Sequence, residues 1–402
     1  MSNSGQIKHV IVVGAGLGGL VAALALMRHG FEVTVLEQAP ALGEVGAGVQ
    51  LSANATRVLS YVGLADAVAR AGAEPIGKII RHWNTGRTWE IADLAGDSRD
   101  KYGHPFCFFH RADLHAAMVD AVRRAAPSAI RLNGRCESID TSGPRPAVVL
   151  QGGERVEGDL VVGADGVHSR VRLPIAGADT PRYSGCYGWR GVVPTEKLPA
   201  HLRAPVGVNW IGPGRHVVQY PLRRGELTNF VGIVEGEGWQ VESWTQKGTV
   251  EDCLKDFEGW HEDIQTMIRL IDVHYKWAFM VREPLQQWSS GAVTLLGDAA
   301  HPTLPFLAQG AAMAMEDGVV LARALDAHRD NLQEALASYE KARVERTSAI
   351  VRGSNENAAR FHNPKLADAD EAAKYIDAQW APEKVRERYQ WLFEYKADEV
   401  PV

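Results

Sequence analysis

Apolar and polar positions follow two rhythms along this chain, and the switch between them marks its elements. His9–Val13 (HVIVV) is a short β-branched run, too short for a helix and suited to a strand buried on both faces. From Leu17 the apolar positions Leu17, Leu20, Val21 and Leu24 keep helical spacing up to Arg28, and Gly30 stands where a C-terminal cap belongs. Glu32–Leu36 (EVTVL) returns to strand character. Strand, turn, helix and strand within about thirty residues form a βαβ unit, which predicts a right-handed crossover and a parallel sheet.

Two later runs, 159–163 (DLVVG) and 292–296 (AVTLL), read as further strands that each lead into an aspartate in a Gly/Ala-rich turn. Residues 311–326 are strongly helix-forming. Segments 183–193 and 206–235 alternate polar with apolar residues, hold Trp189, Trp210 and Tyr220, and read as antiparallel strands. The last fifty or so residues, rich in Ala, Glu and Arg, read as helices. No internal repeat or low-complexity linker is present. The expected fold is α/β: a doubly wound, Rossmann-like domain assembled from residues 1–72, 105–180 and 285–350. A smaller antiparallel-sheet domain takes 73–104 and 181–284, and 351–402 form a helical C-terminal segment.

Composition narrows the class. The 402 residues are 46% hydrophobic and 23% charged, as in globular proteins and unlike disordered or fibrous ones. A net charge of -6 gives no global attraction to nucleic acid. Cys107, Cys136, Cys186 and Cys253 lie far apart with no C-x-x-C pair, which supports neither a metal site nor a disulfide framework and suits a reducing cytoplasm. Residues 10–27 are uncharged and 18 long, near the minimum for a membrane span. Gly14, Gly16, Gly18 and Gly19 break that run, and only Lys8 supplies a basic flank, so no membrane segment is expected.

Those glycines carry chemistry. Gly14-Ala15-Gly16-Leu17-Gly18-Gly19 satisfies G-x-G-x-x-G between strand and helix, and Glu37 ends the second strand about twenty residues on. Gly14 permits the tight turn, Gly16 lets a pyrophosphate approach the backbone, and Gly19 lets helix and strand pack closely. The helix N-terminus, at Leu17, offers free N–H groups and a partial positive charge to phosphates. Glu37 would accept hydrogen bonds from ribose hydroxyls and disfavours a 2′-phosphate, so the ligand is FAD or NAD(H) and not NADP(H).

Two more turns follow strands: Gly163-Ala164-Asp165-Gly166 and Gly297-Asp298-Ala299-Ala300-His301-Pro302. Gly310 then opens the 311–326 helix, whose N-terminus would face an electron-rich ring. In this order, with GAGLGG, the EVGAG stretch at 44–48 and His110-Arg111-Ala112-Asp113-Leu114, the chain resembles the single-component flavin-dependent aromatic hydroxylases, the salicylate and 3-hydroxybenzoate types among them. The resemblance covers nearly the whole chain. It implies that the doubly wound domain binds FAD, with the GAGLGG turn on the ADP part, Asp298 on the ribityl chain and Arg111 also on FAD. Asp165 with Gly166 is linked to flavin and nicotinamide nucleotide, Gly310 and Ala311 border the flavin pyrimidine edge, and Cys136 falls near adenine.

The same resemblance implies an NAD(P)H- and O2-dependent monooxygenase that hydroxylates a small phenolic acid through a flavin C4a-hydroperoxide, with NADH or NADPH as co-substrate. A homodimer is allowed, without nucleic acid or membrane partners. The Leu304-Pro305 step resembles salicylate hydroxylases and makes a salicylate 1-hydroxylase type the first expectation, with 3-hydroxybenzoate 6-hydroxylases, which HVVQYPLR and EVGAG resemble, as the alternative. A 6-hydroxynicotinate-type enzyme, an FAD reductase and a non-catalytic flavin protein are the rivals. His216 and Tyr220 are the candidate catalytic pair, since i and i+4 on a strand share one face and a phenol reacts better once deprotonated. His301, beside Asp298, reads as structural. Arg190, Arg215 and Arg223 are candidate carboxylate anchors, with a surface position the preferred reading for each.

Overall fold

The computed structural model describes residues 7–43, 48–91, 98–237 and 246–402. Its first sheet has six strands in the order Ser289–Ser290, Val293–Leu295, Leu160–Gly163, His9–Val13, Glu32–Leu36 and Ile130–Arg131. All neighbours pair in parallel except the short Ser289–Ser290 edge. The central HVIVV run is buried because helices cover both faces, as a continuous apolar strand requires.

The first helix, Leu17–Arg28, packs against the helix Gly310–Ala327 through small residues. A Cβ on Gly18 would stand 2.8 Å from the Ala314 Cβ, and one on Gly318 would stand 2.8 Å from the Ala22 Cα. The two contacts advance by four residues in the same sense on both helices, so the helices run parallel. Their N-termini therefore open at the same end of the sheet.

The second sheet has seven strands: Tyr275–Val281, Arg182–Pro194, Leu227–Glu235, Arg215–Leu222, Gly207–Gly212, Lys78–His82 and Thr88–Ile91. It is antiparallel apart from the Gly207–Gly212 and Lys78–His82 pair. Its side chains divide with period two. On Arg215–Leu222, Val217 joins Trp189, Trp210 and Phe257 under the helices Val250–Asp256 and Glu262–Leu270, while His216, Val218 and Tyr220 turn the other way into a cavity.

The boundary expected at residue 350 falls inside one continuous helix, Leu332–Phe361. Nothing in its sequence interrupts it: no proline occurs, and the Gly353 position is stably helical. The chain beyond it folds back through Ala369–Gln379 and Pro382–Phe393, and Phe361, Trp380, Tyr389 and Phe393 wall the cavity. The C-terminal segment is thus part of the site. Among the described residues, no helix is long and apolar enough to cross a membrane.

Candidate active site

A cavity of about 540 Å³ lies where the C-terminal edge of the first sheet meets the inner face of the second. At one end is the Gly-rich turn. Gly14 adopts φ +107°, donates its N–H to the Leu36 carbonyl at 2.8 Å, and has no room for a side chain, since a Cβ would lie 2.4 Å from the Ala164 oxygen. A Cβ on Gly19 would lie 2.1 Å from the Gly14 oxygen, which is the close helix–strand contact the motif demands. Gly16 differs: no atom lies within 4 Å of its Cβ position, and that space opens into the cavity beside Leu17. The first helix bond runs from Leu20 to Gly16, so the N–H groups of Leu17, Gly18 and Gly19 have no partner inside the helix. An anion cradle results.

Glu37 does not line the cavity. Its two carboxylate oxygens accept the N–H groups of Ala15 (2.9 Å) and Ala39 (2.8 Å), which fixes the carboxylate at the back of the turn. His115, a residue that carries no motif signal, holds the Ala15 carbonyl at 2.8 Å from the other side. Arg111 opens the helix Arg111–Ala125 and reaches the cavity. Asp165 accepts the N–H of Arg170 at 2.7 Å and of Val171 at 3.2 Å, organising the turn while Ala164, Gly166 and Val167 face the cavity. Cys136 lies outside the cavity, and burial pushes its thiol up to about 12. Of the EVGAG stretch only Gly48 is among the described residues, and it too lines the cavity.

Asp298 is exposed to the cavity, and desolvation by the protein around it raises its carboxyl above the usual range. Its turn is held from behind by a buried ionic network. Asp317 accepts the Gly297 N–H (2.9 Å) and His301 Nε2 (2.6 Å) on one oxygen and Arg343 Nε (2.7 Å) on the other. Neighbouring Glu316 meets Arg343 at 2.8 Å, Arg346 at 3.0 Å and the Asn54 amide at 2.6 Å. Asn54 and Ser52 in turn hold the Gln309 side chain, the residue just before Gly310. Gly310 and Ala311 begin the second helix, and Met313 is its first residue to bond back, to Gln309. His301 is structural, fully buried against Trp288.

At the far end the Tyr220 ring stacks on Phe108 at 4.6 Å and sits over Gly48, where a Cβ would collide with it at 2.4 Å. Burial raises the Tyr220 phenol well above its ordinary value. His216 is 1% exposed, packed between Phe306 and Phe361, and desolvation lowers its imidazole well below the usual range. Its Nδ1 lies 2.6 Å from His362 Nε2, and His362 Nδ1 lies 2.6 Å from Glu235 Oε1.

Among the described residues, three cations border this cavity. Besides Arg111 there is Lys78, hydrogen-bonded to Gln50 at 2.9 Å and lying over Phe106, with burial lowering its ammonium to about 8. The third, Arg190, corrects the surface reading: it is buried, stacked on Tyr275 and Trp277. Arg223 is exposed and paired with Asp113 at 2.8 Å, and Arg215 is half-buried, so neither lines the site.

The FAD binding domain family model matches residues 8–354. The 3-amino-4-hydroxybenzoate 2-monooxygenase PtnB3 of Streptomyces platensis is 34% identical over 389 residues, covering 96% of each chain. The 3-hydroxybenzoate 6-hydroxylase of Polaromonas naphthalenivorans (strain CJ2) is 36% identical over 398 residues, covering 98% of this chain and 97% of that one. Among solved structures, Klebsiella pneumoniae HpxO complexed with FAD and uric acid superposes with a TM-score of 0.81 at 26% identity, covering 96% of this chain and 95% of that one.

Proposed function

We propose, from the premise that this chain belongs to the FAD binding domain family and is an FAD-dependent aromatic-ring monooxygenase, that it hydroxylates a single-ring carboxylic acid already bearing a hydroxyl. The cavity carries this reading: one enclosed space joins the open Gly16 cradle to an apolar pocket bordered by cations. Both relatives above are named for benzoates with a ring hydroxyl. A substrate of that kind is anionic, and Lys78 and Arg190 supply the complementary charge at the edge of an aromatic-lined pocket.

Bound FAD would supply the redox chemistry, accepting hydride from NADH or NADPH and delivering one oxygen atom of O2 to the ring. Gly16, Leu17 and Gly19 would hold its pyrophosphate in the turn that Gly14 shapes, Asp298 a ribityl hydroxyl, and the N–H groups of Gly310 and Ala311 the electron-rich edge of the flavin ring. Arg111 completes the proposed cofactor contacts, while Glu37 and Asp165 act through the turns they fix and Cys136 stands outside the cavity. His216 takes the phenol proton of the substrate, which raises electron density in the ring, and Tyr220, braced by its stacking on Phe108, orients that ring. The C-terminal aromatics exclude water from that end.

A benzoate of the kind named for the relatives is preferred over salicylate. The salicylate resemblance rests on Leu304-Pro305; Pro305 opens the short 3-10 turn Pro305–Leu307 and lines the cavity, but its ring offers no hydrogen-bonding group that would select salicylate. Free, buried cysteines suit a cytoplasmic enzyme. The test is a screen of hydroxybenzoates, aminohydroxybenzoates and 6-hydroxynicotinate for stimulated NADH oxidation, with oxygen uptake and product mass recorded. A product 16 Da heavier than a benzoate supports the reading. Stimulation by the pyridine acid alone, or NADH consumption with no heavier product from any acid, overturns it.

A further inference from the structure

His216, His362 and Glu235 come from two strands of the second sheet and from the end of the long C-terminal helix, yet they form one line from cavity to surface. The side chains of His362 and Glu235 are 1% and 50% exposed. Backbone bonds fix the line: the Gly214 N–H reaches the His362 carbonyl at 3.1 Å, and the Glu235 N–H reaches the Gly214 carbonyl at 2.9 Å.

We propose that Glu235 and His362 are positioning residues that set the tautomer of His216 and conduct the substrate's phenol proton to solvent. This rests on the reading of His216 as the base. The direction follows from donor and acceptor counting. An ionised Glu235 only accepts, so His362 carries its proton on Nδ1 and presents a lone pair at Nε2. That lone pair takes the proton of His216 Nδ1, which leaves the lone pair of His216 on Nε2, the nitrogen free for the cavity. The order is thus dictated from the surface inward.

On binding, the phenol O–H breaks and its proton joins His216 Nε2. The Nδ1 proton of His216 passes to His362 Nε2, and the Nδ1 proton of His362 passes to Glu235 and then to water. One proton enters the line, one leaves, and no electron is transferred between groups. Return of a proton by the reverse route, when the product hydroxyl is re-protonated, restores both tautomers. His362 ends a helix, where the partial negative charge favours a passing imidazolium. The hydrogen bond from His362 holds the Glu235 carboxyl below its usual range, keeping it ionised. Among the described residues, the other titratable or charged neighbours are Cys186, whose thiol lies within 4.8 Å of both Glu235 and His362 and is pushed up to about 12, and Arg215 on the adjoining strand. Neither accepts a proton near neutral pH.

Two measurements on the FAD-loaded enzyme test this. The ¹⁵N shifts of the two imidazoles, assigned through His216→Asn and His362→Asn, report tautomers without any substrate. The expected result is His216 protonated on Nδ1 alone, with that preference lost in Glu235→Gln and restored in Glu235→Asp. The second is stopped-flow proton release to a pH indicator on mixing with 3-hydroxybenzoate or whichever acid the screen returns. Release should slow at least tenfold in Glu235→Gln and His362→Asn, recover in Glu235→Asp, and leave the affinity for the acid within about twofold. A proton on His216 Nε2 in the wild type overturns the proposal. So does unchanged release in both variants when His216→Asn abolishes it, which would leave the base itself intact. If His216→Asn also releases its proton normally, the reading of His216 fails instead.

Discussion

Gly16 and Gly19 stand three residues apart in one turn, and the structure separates what each contributes. A valine at position 16 meets no protein atom within 4 Å of its Cβ, so the unliganded fold should tolerate it. The side chain would occupy the space in front of the N–H groups of Leu17, Gly18 and Gly19. Hydrogen bonds from such groups to a phosphate are each worth about 1.5–3 kcal/mol, and displacing the pyrophosphate from two of them costs about 3–6 kcal/mol. FAD binding should weaken by about 10²–10⁴-fold. Gly19→Val behaves otherwise, because its Cβ would lie 2.1 Å from the Gly14 oxygen and 3.3 Å from the Ala164 Cβ, and backbone cannot yield there. That variant should lose both FAD and fold. The assay is quenching of FAD fluorescence on titration into apoprotein, paired with thermal unfolding of the same apoprotein by circular dichroism. Near-normal FAD affinity in Gly16→Val, or an apo-state melting loss as large as that of Gly19→Val, would refute the assignment of this turn to the phosphates.

Asp298→Ala should reduce FAD affinity about 10–150-fold, the loss of one hydrogen bond to a charged acceptor, while the apoprotein melts near the wild type; an unchanged fluorescence titration would remove Asp298 from the ribityl site. Asp317→Ala removes one of the two carboxylates on fully buried Arg343, leaves Glu316 shared between Arg343 and Arg346, and strips the Gly297 N–H of its acceptor, so urea unfolding should show a loss of about 3 kcal/mol; a change under 1 kcal/mol would mean the network is not ionised. His216→Ala should keep acid-stimulated flavin reduction but divert oxygen to hydrogen peroxide, which the ratio of product to NADH reads directly; unchanged coupling would make the residue a bystander. His216 has a folded-state pKa well below its unfolded value, so the native state binds fewer protons and its contribution to stability is lost as pH falls from about 6.5 toward that lower value. Replacing it by Asn should flatten the acid side of the stability curve by up to about 1.4 kcal/mol per pH unit, measured by urea unfolding from pH 7.5 to 5. An unaltered slope would contradict its burial as a neutral imidazole, although His82, His104, His110 and His274 are depressed too and keep some slope in place.

Local backbone demands were the legible part. Gly14, Gly16 and Gly19 each answer a steric question posed inside one turn, so spacing alone assigns them, and the turn at Asp298 is similar. His216 and Tyr220 were readable because period two puts them on one face whatever that face packs against. His362 was not readable, since Phe361-His362-Asn363 has no local pattern and its partners lie more than a hundred residues away. The network behind Asp298 did leave a signal: Glu316 and Asp317 interrupt the otherwise apolar run 310–322 of their helix, and an acidic pair there needs buried cations. Arg343 and Arg346 supply them. Arg190 was misjudged because charge alone says surface, whereas its guanidinium lies over two aromatic rings on its own sheet.

The order of strands in the first sheet has a consequence for how the molecule comes into being. His9–Val13 emerges early and can pair at once with Glu32–Leu36, but its other neighbour is Leu160–Gly163, and the strand beyond that is Val293–Leu295. At ribosomal speeds of about 5–20 residues per second, the roughly 260 residues between 36 and 295 take about 10–50 s to appear. For the first half of that interval His9–Val13 shows an open edge, and once Leu160–Gly163 has paired with it the open edge is that of Leu160–Gly163, the kind of surface on which nascent chains associate. The cofactor compartment therefore closes late in synthesis, after the second sheet has been completed inside its own interruption. Slower growth at lower temperature and an available holdase would be expected to favour soluble enzyme, and FAD can act only as a final clamp on a sheet already assembled, with no part in nucleating it.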